Sequence, residues 1–220
     1  MSQTSLTTYR RHSFLKRASG WSRRDFSHYY EHHHGPLAAG LDGFRKFATR
    51  YVQNHVDYLP DGADPLFDGV SMTTQVPRED YSRGFFNEPD YETAKMDEER
   101  LFDLNRTASV LGREEIVLPG TPSPHKALII TSGQSLQSIQ LLRPTKLVLN
   151  HLDPLTASAL GFGSTAFEYD LLAEAWFENK DARMNAFGAS LLIPSNTAPT
   201  LFLPVREVII FGPEKPWVSS

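Results

Sequence analysis

Residues 51–57 read YVQNHVD and residues 147–153 read LVLNHLD, so Val, Asn, His and Asp recur in the same order at an offset of 96. On an extended chain every second side chain shares a face. Tyr51, Gln53, His55 and Asp57 therefore fall on one face, and Val52, Asn54 and Val56 on the other. In the second copy Leu147, Leu149 and His151 lie opposite Val148, Asn150 and Leu152. A repeat at nearly half of the 220-residue length predicts two similar folding units fused as a pseudo-dimer.

Outward from the first copy, HSFLKRA (12–18) predicts a strand, and Ser22 caps a helix that runs through RRDFSHYYEHHH and stops at Gly35-Pro36. FDGVSMTTQV (67–76) predicts a strand, PREDYSRGFF a short helix, DYETAKMDEERLFDL (90–104) an amphipathic helix and REEIVL (113–118) a closing strand. With the repeat as second strand, the order is βαββαβ, the split βαβ pattern of a ferredoxin-like unit. Around the second copy, KALIITS (126–132), TAFEYDLLAEAWFE (165–178) and LFLPVREVIIF (201–211) predict strands and NKDARMNAF a helix. Only GQSLQSIQLLRP stands where the first half carries its capped histidine helix, so the second unit is degenerate. Pro119, Gly120, Pro122 and Pro124 break both helix and strand. The expected organisation is α+β, with two ferredoxin-like units over residues 1–118 and 126–220 and a linker over 119–125.

Composition narrows the function. With 40% hydrophobic and 22% charged residues the chain buries one generous core or two small ones. Residues 1–115 hold 15 Lys+Arg and 18 Asp+Glu against 7 and 8 in residues 116–220, so the second half is drier. A net charge of -4 argues against nucleic acid as partner. Arg10, Arg11, Lys16, Arg17, Arg23 and Arg24 read as solvated side chains, with a docking patch for an acidic substrate as the alternative. The absence of cysteine excludes disulfides, thiolate zinc sites and cysteine nucleophiles. No run approaches the roughly 20 apolar residues of a membrane helix, and MSQTSLTTYRRHS has no signal-peptide core, so a cytoplasmic protein is expected. Nucleotide, dinucleotide and serine hydrolase motifs are absent. The carboxylates of DYETAKMDEERLFD read as a solvated helix face, and Phe85, Phe86, Tyr91, Phe102, Phe162, Phe167, Trp176 and Phe177 as core rather than a cofactor box, with some of them lining the pocket as the alternative.

The histidines of YYEHHHGPL (29–37) point to acid–base chemistry rather than to a metal. Successive helix positions turn by about 100°, so His32, His33 and His34 face three sides and cannot share one ion. His28 and His32 have the i, i+4 spacing of a ligand pair but lack the glutamate of an HExxH motif. His34, at the expected helix end, would be held protonated by the helix dipole and suits a general acid; capping the last carbonyls is the alternative. His55 is the second catalytic candidate, looking into a cavity with Tyr51 and Gln53, or else a buried structural imidazole. Val52, Val56, Val148 and Leu152 would then pack against helices, and Leu147 and Leu149 would form the cavity's apolar wall. Asn54 adds a hydrogen bond, and Tyr30, one turn before His34, reaches the same pocket or packs in the core. Asn150 and His151 read as structural relics.

The run LKRASGWSRRDFSHYYEHHHGPLA, followed by RYVQNHV and NEPDYETAKMDEERLFDL, resembles an EthD-like domain of the dimeric α+β-barrel superfamily. The H-G-P after the histidines and the Y-x-Q-N-H of the strand are its most specific pieces. The resemblance implies two ferredoxin-like sheets closed face to face into a barrel, which family members normally form as homodimers and which this fused chain would form as a pseudo-dimer. It also implies a tailoring enzyme similar to fungal anthrone carboxylic acid decarboxylases, although other members are monooxygenases, cyclases or isomerases. The reading is a cofactor-independent lyase that decarboxylates an aromatic or polyketide-derived acid, with no metal and no membrane partner. A cyclase of aldol or pericyclic type and a non-catalytic carrier of a hydrophobic intermediate are the alternatives.

Overall fold

The computed structural model describes residues 9–59, 61–75, 85–133, 136–154, 167–190 and 199–215. Among them β1 (Tyr9–Leu15), β2 (Ala48–Val56), β3 (Gly69–Gln75) and β4 (Ala108–Leu118) belong to the first unit. The second unit supplies β5 (Lys126–Thr131), β6 (Lys146–Asp153), β7 (Leu171–Trp176) and β8 (Leu201–Phe211). The strands close into one barrel in the order β1, β3, β2, β8, β5, β7, β6, β4, antiparallel throughout. Each unit alone has the ferredoxin-like order, its first strand paired with its third and fourth and its second with its third. The seams β2·β8 and β4·β6 join the halves and leave no strand edge free.

The register obeys the repeat. Tyr51 and Arg11 both pair with Thr73, and their counterparts Leu147 and Ala127 both pair with Ala175. At the seams Asn54 and His55 lie opposite Glu207 and Arg206, as Asn150 and His151 lie opposite Glu114 and Arg113. An Arg-Glu pair in each closing strand is therefore part of the repeat.

Strand parity grouped the residues correctly but not the direction of each face. Val52, Val56 and Leu152 fill the barrel interior with Phe14, Val70, Val110, Leu128, Leu172 and Val205, instead of packing against helices. Alternation fixes which residues share a face and is silent on which face turns inward; a closed barrel needs its apolar faces inside. One mouth of the barrel is polar, with a cavity of about 310 Å³. There Arg10 meets Glu114 and Lys126 meets Glu207, and Glu174 bridges the pairs, 3.0 Å from Arg10 and 2.7 Å from Lys126. Burial would raise the Glu174 carboxyl, but Lys126 and Arg10 hold it down at about 2.

The N-terminal basic residues are likewise mostly not solvated. Arg11 and Lys16 are buried, and Lys16, Arg17 and Arg23 all reach Asp64 and Asp68 in an ion-pair cluster. Only Arg24 of the six is exposed.

Over the outside of the first sheet lie α1 (Arg23–Tyr29), a π-helical turn (Tyr30–His34), α2 (Gly35–Gly40), α3 (Asp42–Phe47) and α4 (Tyr91–Leu101). Ser22 caps α1 by accepting the Asp25 N–H. The helix does not stop at Gly35-Pro36. Pro36 has no N–H for the carbonyl four residues back, and its ring would strike that carbonyl. A widened turn, with the Gly35 N–H bonded to the Tyr30 carbonyl, absorbs the conflict and lets helix continue on the far side. Phe162 and most of the expected PREDYSRGFF helix lie outside the described residues; Phe85–Asn87 form a 3-10 turn. The second sheet is covered by α5 (Leu136–Gln140) and α6 (Lys180–Ser190). No helix among the described residues is long and apolar enough to cross a membrane.

Candidate active site

Between the first sheet and its helices lies a cavity of about 60 Å³, room for a few waters or the reacting end of a small ligand. The strands contribute Arg11, Ser13, Tyr51, Ser71 and Thr73 to its floor. The helices contribute Tyr30, His34 and Glu98, and Phe44, Phe85, Phe86 and Phe102 form its apolar wall.

His34 is held by α4. Its Nδ1 lies 2.8 Å from Asp97 Oδ2, and Asp97 Oδ1 also accepts from the Tyr29 hydroxyl at 2.7 Å and from Arg100 at 3.0 Å. A carboxylate gathering three donors fixes the proton on Nδ1 and leaves Nε2 as the nitrogen available to the cavity. The π turn, not a helix terminus, brings His34 there, so the dipole argument for its protonation does not apply. Asp97 does the orienting.

Beside it, Glu98 Oε2 accepts the Tyr91 hydroxyl at 3.0 Å. Burial raises the Glu98 carboxyl above its ordinary range, against the lowering effects of His34, the Tyr91 bond and Arg11. Arg11 lies over the Phe86 ring at 4.6 Å. Burial lowers its guanidinium to about 10, with Glu98 acting in the opposite direction, so it stays cationic at neutral pH. The cavity thus brings together a fixed cation, an imidazole with a set tautomer and a carboxyl shifted toward its neutral form. Those are the groups for moving a proton while an anion develops.

Of the candidates read from sequence, His34, Tyr30 and Tyr51 line this cavity. Gln53 and His55 lie behind it, fully buried on the same strand face. Gln53 Nε2 donates to the Tyr30 carbonyl at 2.8 Å and to the Tyr51 hydroxyl at 3.0 Å, and Gln53 Oε1 is 3.1 Å from His55 Nε2. His55 Nδ1 is 2.8 Å from Ser27 Oγ, and burial lowers the imidazole from 6.5 to about 3, with Arg206 adding to the effect. Asn54 is on the barrel-interior side, donating to the Val70 carbonyl. Leu147 and Leu149 belong to the core under α5 and α6, remote from the cavity. His151 sits on the rim, 2.7 Å from Glu115. His32 and His33 are exposed, and no group of three His, Asp or Glu side chains among the described residues is placed to hold a metal.

Arg11, Asp97 and Glu98 were not singled out from sequence as site residues. A signal for the last two existed: Ala94, Asp97, Glu98 and Leu101 are spaced i, i+3, i+4, i+7, the buried stripe of α4. Carboxylates on the buried stripe of a helix rich in charge are the informative ones. For Arg11, alternation with Ser13 and Leu15 in β1 was available, but the surrounding basic residues masked it.

Residues 18–105 match the EthD domain. No curated protein matches the chain. Among solved structures, a candidate monooxygenase from Fusobacterium nucleatum aligns over 94% of this chain and 95% of its own, with TM-score 0.50 and 6% identity. A candidate monooxygenase from Lactobacillus acidophilus aligns over 92% and 95%, with TM-score 0.47 and 5% identity. At such identities the first likeness speaks for a shared α+β-barrel fold alone.

Proposed function

We propose, from the premise that residues 18–105 are an EthD domain, that this protein is a cofactor-independent tailoring lyase that removes carbon dioxide from an aromatic or polyketide-derived carboxylic acid. The observation that carries the reading is the convergence of the Asp97-held His34, Glu98 and the buried Arg11 on one aromatic-walled cavity. In the reaction the ring carbon bearing the carboxylate is first protonated, which gives an ortho or conjugated oxygen carbonyl character; the bond from ring to carboxylate then breaks, carbon dioxide leaves, and the electron pair flows through the restored ring onto that oxygen as a phenolate. Arg11 stabilises that oxyanion in a medium where charge is poorly screened. His34, protonated from solvent before the step, gives its Nε2 proton to the ring carbon; Asp97 compensates the positive charge on the imidazolium. Glu98, whose carboxyl burial raises, lines the same cavity and is the proposed relay that passes a solvent proton to His34 for the next turnover. The phenylalanines hold the ring flat and exclude water.

The test uses ortho-hydroxyaryl acids carrying carbon-13 in the carboxyl group, incubated with the protein in deuterated water. Labelled carbon dioxide and one deuteron at the vacated ring carbon support the proposal. Oxygen uptake with an oxygenated product would replace it with the monooxygenase chemistry named for the two structural relatives, and a ligand recovered unchanged would make the protein a carrier.

A further inference from the structure

We propose that Tyr51 donates the hydrogen bond to the substrate oxygen that becomes an oxyanion, and that Ser27, His55 and Gln53 form a one-way hydrogen-bond chain that aims its proton into the cavity. The inference rests on the reading of the site above and extends it to the substrate class: a phenol or enol whose oxygen gains charge during reaction.

The direction of every bond follows from donor and acceptor inventory. The Tyr30 carbonyl can only accept, so the Gln53 atom 2.8 Å from it is the amide nitrogen, which settles the orientation of the amide. The other hydrogen of that nitrogen goes to Tyr51 Oη, so Tyr51 accepts from Gln53 and keeps its own proton for another partner. Gln53 Oε1 can only accept, so His55 Nε2 carries the proton between them. A neutral imidazole protonated on Nε2 is bare on Nδ1, and Ser27 Oγ therefore donates to it. Arg206 approaches that serine oxygen as a donor at 3.5 Å. The chain has one allowed sense and reaches the Tyr51 hydroxyl in the cavity beside Arg11, where the Tyr30 hydroxyl is a close neighbour able to donate to Tyr51 Oη, so the Tyr51 proton is the one left to point at a ligand.

Three further features fit. Burial raises the phenol pKa of both Tyr51 and Tyr30, so each remains a neutral donor at working pH. The Tyr51 ring is fixed by the Phe44 edge at 5.5 Å. At position 35 a Cβ would lie 2.8 Å from Ile210 Cδ1 and 2.9 Å from Gln53 Nε2, so the glycine of the H-G-P motif leaves room for both the amide and the Ile210 side chain. His55 is then a positioning residue acting through two side chains.

The test titrates 4-nitrophenol bound to the folded protein, reading the phenolate band as pH is varied, and needs no turnover. The bound probe should ionise at lower pH than free probe. Tyr51→Phe should raise its apparent pKa by about one to two pH units, the size of a hydrogen bond to a charged acceptor. Gln53→Met and His55→Leu should shift it the same way, whereas His55→Gln, whose amide can donate and accept at the same two points, should keep the wild-type value. A wild-type titration in Tyr51→Phe, Gln53→Met or His55→Leu, or no binding at millimolar probe, would overturn the inference. If carbon dioxide release fails while the probe shifts occur, the reaction assignment falls and the oxyanion site stands; the converse result removes Tyr51 and leaves the lyase.

Discussion

The two half-barrels share a backbone lattice and carry opposite chemistry on their helix-facing sides. Arg11, Ser13, Gln53, Ser71, Thr73 and Ser109 occupy the register positions held in the second unit by Ala127, Ile129, Leu149, Ala173, Ala175 and Phe202. The apolar set packs with Ile139, Leu142 and Ala186 into a dry core, which stabilises that half by burial. The polar set sits under a cavity and must be satisfied by hydrogen bonds, which contribute little net stability. One half of the barrel is built for stability and the other is left free to carry a site. The inner face, by contrast, contributes to one shared apolar cluster from both units, with the charged residues gathered at one mouth.

The largest effect expected from this asymmetry is on acid stability. His12 and His55 are buried in the first unit, each with its imidazole lowered from 6.5 to about 3, burial being the main cause. In the second unit the register puts Leu128 and the half-exposed His151 at these positions. Between pH 6.5 and 3 the unfolded chain binds protons that the folded protein refuses, so stability should fall with falling pH by up to about 1.4 kcal/mol per pH unit for each histidine. Glu174, also depressed on folding, adds to the loss at lower pH: its stabilisation is present above its ordinary value of 4.5 and lost as pH falls through about 2. Denaturant midpoints measured from pH 7 to 4 should show the loss, and His12→Leu, which installs the second unit's residue, should flatten it. An equally steep profile in that variant would contradict the assignment.

Next in size is Asp97→Asn. Without a carboxylate to hold the Nδ1 proton, His34 can present the wrong tautomer to the cavity, and turnover should drop roughly a hundredfold or more with the fold intact. Turnover and thermal unfolding of the same sample separate the two effects. Arg11→Gln should cost less, on the order of tenfold to a hundredfold, because one charged contact to the developing anion is lost and the phenol donors remain; a rise in KM with kcat unchanged would mean that Arg11 only binds. The smallest change in turnover, none, is expected for Leu149→Gln. It copies the first unit's residue into the second, costs about 1–3 kcal/mol for an unsatisfied buried amide, and builds no second site because the Tyr51 counterpart is Leu147.

The YVQNHVD and LVLNHLD repeat was enough to place β2 and β6 at equivalent positions, since side-chain alternation and offset are properties of the chain itself. Whether Val52 or Gln53 turns toward the helices depends on what the sheet packs against, and that information lies in the other half of the barrel. The HGP motif was legible as a boundary signal, but a π turn before Pro36 satisfies the same constraint without ending the helix. His34, Tyr30 and Tyr51 could be read as site candidates because unusual polar residues sat near one another in short segments. Arg11 and Glu98 come from elements far apart in sequence, and their partnership exists only after β1 and α4 pack together.

Turnover of His34→Ala and His151→Ala, compared in samples shown to be folded, tests most directly where the chemistry lies. Loss of the cavity-facing imidazole should lower the rate by roughly a hundredfold or more, while loss of the rim imidazole, paired with Glu115 at the surface, should leave it unchanged. A nearly normal rate for His34→Ala together with an inactive His151→Ala would put the reaction in the second half and contradict the account.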